Sequence, residues 1–249
     1  MADTGEIQVS ADREALAAAA AGRFAARIER AVEERGSAAV ALAGGSTPRR
    51  LYEVLAAPPH RDGVPWAALE VFWSDERVVP PDDPRSNYRL AHEVLLAHVA
   101  VRAERIHPLP AGSGDRAATG LAAAAHAHAR LLAARLPAGP GGWPRFDLVL
   151  LGLGADGHTA SLFPGDPALD ETRSAVAVVE APREGTRRLT LTLPVLAAAA
   201  CVVFLVAGGD KAAAVRRVLA AREPLPAARV RPVAGELVWL LDREAARLL

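Results

Sequence analysis

The sequence predicts a three-layer α/β fold, in which helices flank a largely parallel sheet. Short apolar runs without alternation, such as residues 148–151 and 201–207, are typical of strands that are covered on both faces. Segments with helical periodicity separate these runs, as expected when parallel strands are joined by crossover helices. This alternation predicts a Rossmann-like domain. No composition shift divides the 249 residues, so we expect a single domain over residues 1–249.

Composition limits the functions that the chain can serve. Its 29 basic and 29 acidic residues balance at a pI near 7.1, which argues against nucleic acid or an anionic membrane as a partner. Cys201, the only cysteine, excludes an intrachain disulfide and indicates a reducing compartment, and its apolar neighbours predict a buried strand residue. The amino terminus lacks a signal-peptide pattern, and charged residues interrupt every Ala-rich stretch before it could span a membrane. We therefore expect a soluble, cytoplasmic protein.

The first elements are a long helix and a buried strand. Residues 12–35 predict the helix, because apolar side chains recur there at four-residue spacing. Ser10 or Asp12 can cap this helix, and Gly36 can end it. The apolar run over residues 38–43 predicts a short strand that is buried on both faces.

A glycine pair follows this strand. Gly44 and Gly45 clear space, and Ser46 or Thr47 is expected to cap the next helix, with Pro48 in its first turn. Free N–H groups at a helix start favour anions, so this junction predicts phosphate binding. The alternative is an ordinary strand–turn–helix junction. The spacing and the lysine of a P-loop are absent.

A third strand, over residues 69–74, ends at Asp75, Glu76 and Arg77. A carboxylate pair with an arginine at a strand end is common in binding sites. The alternative is a solvated turn with a local ion pair. The loop that follows is rich in proline and aspartate, and then a helix is predicted over about residues 86–98.

The middle of the chain predicts a long helix without a metal-binding pattern. Residues 106–109 predict a short strand, residues 111–114 a loop and residues 115–136 an Ala-rich helix. His126 and His128 lie two positions apart on this helix, so they face different directions and make a poor metal pair.

The last third continues the alternation of strands and helices. Strands are predicted over residues 175–179, 187–193, 201–207 and 236–241. The second of these alternates with period two, as in an edge or half-exposed strand. Helices are predicted from Pro194, after Lys211 and from Asp242. Lys211 is the only lysine of the chain and follows two glycines after an apolar strand, a context that favours a function over chance.

The most informative stretch is Phe146–Gly165, with the sequence FDLVLLGLGADGHTASLFPG. Its strand enters a loop with three glycines, which permit positive φ and close approach by a ligand. Asp156 and His158 lie in this loop, at the end of the strand where ligands of open α/β sheets bind. A carboxylate and an imidazole there predict acid–base chemistry. Because strand ends meet on one side of the sheet, we expect GGSTP, SDER, GADGH and GGDK to line one pocket.

These segments resemble the 6-phosphogluconolactonase family and occur in the family's order. The resemblance rests on ALAGGSTPRRLYEVL, FWSDERVVPPDDPRSNYRLAHEVLL, GLGADGHTASLFPG and RRLTLTLPVL, of which the third is highly specific, whereas GGDK matches loosely. It implies hydrolysis of 6-phospho-D-glucono-1,5-lactone to 6-phospho-D-gluconate in the oxidative pentose phosphate pathway, without a metal or an organic cofactor. The implied partner is this small sugar-phosphate lactone. From the composition we expect no nucleic-acid or membrane partner, and we expect a monomer or a small homo-oligomer.

The resemblance and the chemistry together give roles to particular residues. His158 would be the general base that activates water, and Asp156 or Asp75 would orient its imidazole or a sugar hydroxyl. Backbone N–H groups of the glycine-rich loop would hold the oxyanion. The expected substrate-binding residues are Gly44, Gly45, Ser46, Thr47, Asp75, Arg77, Gly154, Arg188 and Lys211.

Three other functions remain open. The glycines of residues 152–157 also match a dinucleotide-binding fingerprint, but Pro164 and Pro167 leave no room for its long helix. An amino-sugar phosphate deaminase or a phosphosugar isomerase on the same fold is the main alternative, and a non-catalytic sugar-phosphate sensor is a weaker one. The fold alone does not choose among them; the residues of ADGHTASLFPG favour the lactonase.

Overall fold

The structure is a computed structural model that describes residues 5–111, 118–181 and 185–249. The predicted loop over residues 112–114 and the predicted helix start at residues 115–117 lie outside these ranges. Within the ranges, no helix has both the length and the apolar character needed to cross a membrane.

The described chain contains two β-sheets. Their strands are β1 (Glu6–Ser10), β2 (Ala38–Leu42), β3 (Leu69–Trp73), β4 (Asp75–Arg77), β5 (Leu148–Leu151), β6 (Val176–Glu180), β7 (Arg187–Leu191), β8 (Cys201–Val206) and β9 (Glu236–Asp242). The first sheet is parallel throughout, in the order β1-β9-β8-β5-β2-β3. The second is antiparallel, in the order β4-β7-β6. The parallel sheet confirms the predicted fold class, whereas the antiparallel sheet was not predicted.

Helices connect the strands and flank the parallel sheet. They are α1 (Arg13–Arg35), α2 (Ser46–Leu55), α3 (His60–Gly63), α4 (Asn87–Ala91), α5 (Ala118–Arg135), α6 (Leu193–Ala198), α7 (Ala212–Val215), α8 (Pro226–Arg229) and α9 (Arg243–Ala246). The boundaries of α1 confirm the prediction: Asp12 accepts a hydrogen bond from the N–H of Ala15 (2.8 Å), and Gly36 ends the helix at φ +75°. A π-type turn extends α4 through Leu96.

The interior is built from the strands and the apolar face of α1. Every side chain of β2, β3, β5 and β8 is buried, and Cys201 is among them as predicted. Phe24 and Ile28 of α1 are at most 1% exposed. Each such side chain contributes about 1.5–3 kcal/mol by leaving water. The buried apolar residues form one continuous cluster that includes both sheets, so the loops at the strand ends rest on a rigid base.

Several local predictions were wrong. Asp75–Arg77 does not form a strand-end turn; it forms β4 and pairs with β7. β7 is not an edge strand but the middle strand of its sheet, buried from Arg188 to Leu191. The segment from residue 106 contributes only one bridge, between Ile106 and Val71. β1 was not predicted, because a five-residue edge strand with exposed apolar side chains has a weak sequence signal.

The order of the strands determines where the chain can bind a ligand. From β2 the chain passes to β3 on one side, whereas from β5 it passes to β8 and β9 on the other. The topological switch point therefore lies between β2 and β5, and ligands of open α/β sheets bind there, at the carboxyl ends of the strands. The loops that leave these strands carry Gly44–Gly45 and Gly152–His158.

Candidate active site

A cavity of about 450 Å³ opens at the switch point between β2 and β5. Its lining includes Gly44, Gly45, Asp75, Arg77, Asn87, Gly154, Asp156, His158, Phe163, Arg188 and Lys211. All four predicted loops therefore contribute to one site. Ser46 and Thr47 do not line the cavity; Ser46 is exposed and Thr47 is buried.

Asp156 and His158 form a close pair in the loop after β5. The Asp156 Oδ1 atom lies 2.6 Å from His158 Nδ1 and also accepts the backbone N–H of His158 (3.1 Å). Partial burial opposes ionisation of Asp156, but its hydrogen bonds and attraction to His158 outweigh that effect and hold the pKa of Asp156 below its ordinary value. A carboxylate can only accept, so Nδ1 carries the imidazole proton and Nε2 has a free lone pair.

Gly154 makes room for this imidazole. A Cβ atom at residue 154 would lie 2.1 Å from His158 Nδ1, so only glycine allows the ring to pack against the backbone there. The loop is also tied internally, since the N–H of Gly154 donates to the carbonyl of His158 (2.8 Å) and the N–H of Gly157 to the carbonyl of Gly154 (3.0 Å). The ring of Phe163 also packs against the imidazole, tilted by 50° at 4.8 Å between ring centroids. The geometry therefore holds the ring in one orientation.

Positive charge dominates the remaining polar lining. Arg77, Arg188 and Lys211 line the cavity together with the carboxylates of Asp75 and Asp156. The Lys211 Nζ atom lies 3.3 Å from the exposed carboxylate of Asp210. Three cations facing one cavity attract an anion such as a phosphate.

Asp75 anchors a buried polar network on the opposite wall. Its Oδ2 atom accepts the hydroxyl of Ser161 (2.6 Å) and lies 3.7 Å from Arg188 Nη1. The carboxamide of Asn87 donates to its Oδ1 atom (3.2 Å). All four residues are at most 6% exposed. Asp156, rather than Asp75, therefore contacts the imidazole, and Asp75 lines the cavity as part of this buried network.

The start of α2 differs from the prediction. Gly45, at φ +102°, occupies the N-cap position, and neither Ser46 nor Thr47 caps the helix. Among the described residues, no side chain caps this helix start. The strand end before it is held by Tyr52, whose hydroxyl donates to the carbonyl of Ala43 (2.6 Å).

Three lining or supporting residues had no distinct sequence signal. Asn87 was predicted only as a helix start, Ser161 lies inside the glycine-rich motif without polar neighbours, and Phe163 resembles a core residue. Their roles depend on contacts with distant segments, which local patterns do not report. In the described part of the chain, no group of three or more His, Cys, Asp or Glu side chains could hold a metal ion.

Comparisons with known proteins identify the family of the chain. Residues 11–239 match the family described as "Glucosamine-6-phosphate isomerases/6-phosphogluconolactonase". The 6-phosphogluconolactonase of Synechocystis sp. is 42% identical over 226 residues, which cover 90% of this chain and 89% of that protein. That of Streptomyces coelicolor is 40% identical over 100% of this chain and 96% of its own. The solved structure of 6-phosphogluconolactonase from Trypanosoma brucei superposes with a TM-score of 0.87 at 34% identity, covering 100% of both chains. The chain therefore belongs to the family of glucosamine-6-phosphate isomerases and 6-phosphogluconolactonases, and within it to the 6-phosphogluconolactonases.

Proposed function

We propose that the protein hydrolyses 6-phospho-D-glucono-1,5-lactone to 6-phospho-D-gluconate, the lactone-opening step of the oxidative pentose phosphate pathway. The observation that carries this proposal is the Asp156–His158 pair, 2.6 Å apart in a cavity that three cations also line. Relatives named 6-phosphogluconolactonase across nearly the whole chain support it. Ester hydrolysis at a phosphorylated sugar needs both parts of this site, a base for water and charge for the phosphate.

His158 is the general base of the proposed mechanism. Its Nε2 atom takes a proton from water while the water oxygen attacks the lactone carbonyl carbon, and a tetrahedral intermediate forms. The bond between that carbon and the ring oxygen then breaks, and the imidazolium returns the proton to the departing oxygen. The new carboxylic acid ionises in solution. Asp156 holds the reactive tautomer and stabilises the imidazolium that forms.

In this proposal, the side-chain cations of the cavity bind the charged parts of the substrate, and the Gly44–Gly45 turn lines the cavity beside them. The N–H groups of Gly154 and Gly157 already donate within the loop, so they are not free for an oxyanion. We assign that charge to the side-chain cations instead. Arg77, Arg188 and Lys211 hold the phosphate and the developing oxyanion, and Asp75 accepts a sugar hydroxyl.

Turnover of freshly prepared lactone tests the proposal. The assay is run in slightly acidic buffer, where spontaneous hydrolysis is slower, with wild type, His158→Ala and the control His126→Ala, an exposed histidine on α5. We expect rapid hydrolysis by wild type and the control, and a kcat lowered by about 10²–10⁴ in His158→Ala, as for loss of a general base. A variant with wild-type kcat would remove His158 from the chemistry. Ammonia release from glucosamine-6-phosphate, without lactone hydrolysis, would indicate a deaminase.

A further inference from the structure

Asn87 lines the cavity between two segments that are distant in the sequence, and it contacts Asp75 and Gly44. Its Nδ2 group donates to the backbone carbonyl of Asp75 (2.9 Å) and to Asp75 Oδ1 (3.2 Å). Both partners can only accept, so the orientation of the carboxamide is set by its contacts. Oδ1 consequently points the other way, against Gly44.

The backbone of Asn87 is held as firmly as its side chain. Its N–H donates to Glu76 Oε1 (2.8 Å), and the next N–H, of Tyr88, donates to Glu76 Oε2 (2.7 Å). Burial raises the pKa of Glu76, although these hydrogen bonds and those from Arg77 and Ser86 oppose that shift. The two adjacent acidic residues of β4 thus both bind Asn87: Glu76 accepts from its backbone N–H, and Asp75 accepts from its side chain. Only 2% of Asn87 is exposed.

The position of the Asn87 Oδ1 atom lowers the stability of the fold. It is buried and has no hydrogen-bond partner among the described residues. A Cβ atom at residue 44 would lie 1.8 Å from it, so the carboxamide packs directly on the backbone of the glycine turn. An unpaired buried carbonyl oxygen destabilises a fold, and such departures from good pairing concentrate at functional sites.

We propose that Asn87 is a positioning residue of the lactone reaction, whose carboxamide sets the separation between the Asp75 carboxylate and the Gly44–Gly45 turn. This inference rests on the proposed function. Asp75 and the Gly44–Gly45 turn line the cavity from two different segments, and Asn87 contacts both Asp75 and Gly44. The hydrogen bonds of Asn87 go to Asp75 and Glu76 and not to the Asp156–His158 pair. In this proposal it therefore affects substrate binding and not proton transfer.

Asn87→Ala separates these effects. Removing the amide frees the Asp75 carboxylate and the glycine turn to move, so KM rises by roughly ten- to a hundredfold, while kcat changes by less than about threefold. The control is Ile28→Val in α1, which lowers Tm by a few degrees without contact with the site. A structural role alone would lower Tm in both variants and leave KM unchanged in both. That result, or a loss confined to kcat, would overturn the proposal.

Asn87→Asp gives a pH signature. It replaces a donor by a carboxylate facing Asp75, with Glu76, Arg77 and Arg188 as the other charged groups nearby. Two carboxylates at this distance share one proton at acidic pH, which restores a hydrogen bond in place of the amide. The KM of this variant should therefore fall towards the wild-type value as the pH is lowered to about 5, whereas the wild-type KM should not. A KM that is high at every pH would count against the positioning role.

A stability cycle with Gly44 tests the contact without any substrate. Gly44→Ala should lower Tm by roughly 5–10 °C, because its Cβ meets Asn87 Oδ1. In the Asn87→Ala background the same change should cost less than about 2 °C, since the obstructing side chain is gone. Additive losses would show that the two residues do not meet, and the proposal would fall. Because this cycle needs no turnover, it tests the contact between Asn87 and Gly44 independently of the lactone assay. Failure of that assay would overturn the proposed function and leave the contact itself intact.

Discussion

The two walls of the cavity differ in their exposure to water and in how far apart their residues lie in the sequence. On the β5 side, Asp156 and His158 are two residues apart, and their side chains are 30% and 32% exposed. On the β4–β7 side, Asp75, Asn87, Ser161 and Arg188 come from four separate segments and are almost fully buried. A proton-transfer pair must exchange protons with water, whereas a binding wall gains from being held rigid before the substrate arrives. The exposure of each wall thus suits the task that we propose for it.

Asp156→Asn should have the largest effect, because it disables the proposed general base while every atom of the imidazole stays in place. An amide at residue 156 can donate to Nδ1, which moves the imidazole proton to Nε2 and leaves no base. We expect kcat to fall by about 10²–10⁴ with KM little changed, as when the orienting carboxylate of a catalytic triad is neutralised. Steady-state kinetics on the lactone measure both constants. A rise in KM with kcat preserved would mean that Asp156 binds substrate, and the contrast between the walls would disappear.

A second histidine, His128, shows why burial would not suit the proposed general base, His158. His128 of α5 is 3% exposed, and no described residue accepts from or donates to its Nε2 atom. Burial, with a smaller contribution from the charge of His107, lowers the pKa of His128 to about 4. An imidazole in such surroundings is a weak base at neutral pH, which would not suit proton abstraction from water.

The second prediction is a pH dependence of stability from His128. Its pKa is lowered from 6.5 to about 4, so the unfolded chain binds the extra proton between these values and the folded chain does not. The contribution is intact above about pH 6.5, declines as the pH falls and levels off below about 4, with a total loss of roughly 3 kcal/mol. Urea unfolding at several pH values measures it. His128→Leu should flatten this part of the curve, whereas His126→Leu, an exposed residue of the same helix, should leave it as in wild type. Equal curves for all three proteins would refute the assignment.

The same contrast explains which features the sequence could predict. The Asp156–His158 pair and its glycines lie within one short segment, so local spacing and strand-end chemistry sufficed to find them. The buried wall joins residues 75, 87, 161 and 188, and no local pattern connects them.

β7 illustrates the limit of pattern analysis. Its alternation predicts a polar face, and the polar residues Arg188 and Thr190 are indeed on one side of the strand. That side is not exposed to water, because Thr190 accepts the N–H of Ser161 (3.2 Å) and Arg188 approaches Asp75. Alternation reports which side chains share a face but not what covers it. The cap of α2 was predicted wrongly for a different reason. Gly45 occupies the N-cap position with a positive φ, which serine and threonine adopt poorly.

Lys211 belongs to neither wall and should show the smallest effect. It lines the cavity from the loop after β8, is 29% exposed, and has the Asp210 carboxylate 3.3 Å away. Water screens much of its attraction to a bound phosphate, so Lys211→Met should raise KM by about tenfold and leave kcat within about twofold. Lys211→Arg keeps the charge and should recover most of the affinity, although the planar group fits the position differently. Raising the salt concentration should weaken binding by wild type more than by Lys211→Met, because only wild type retains the exposed charge. An unchanged KM in Lys211→Met would assign phosphate binding to Arg77 and Arg188, and the buried wall would then carry the recognition of the anion without help from the exposed loop.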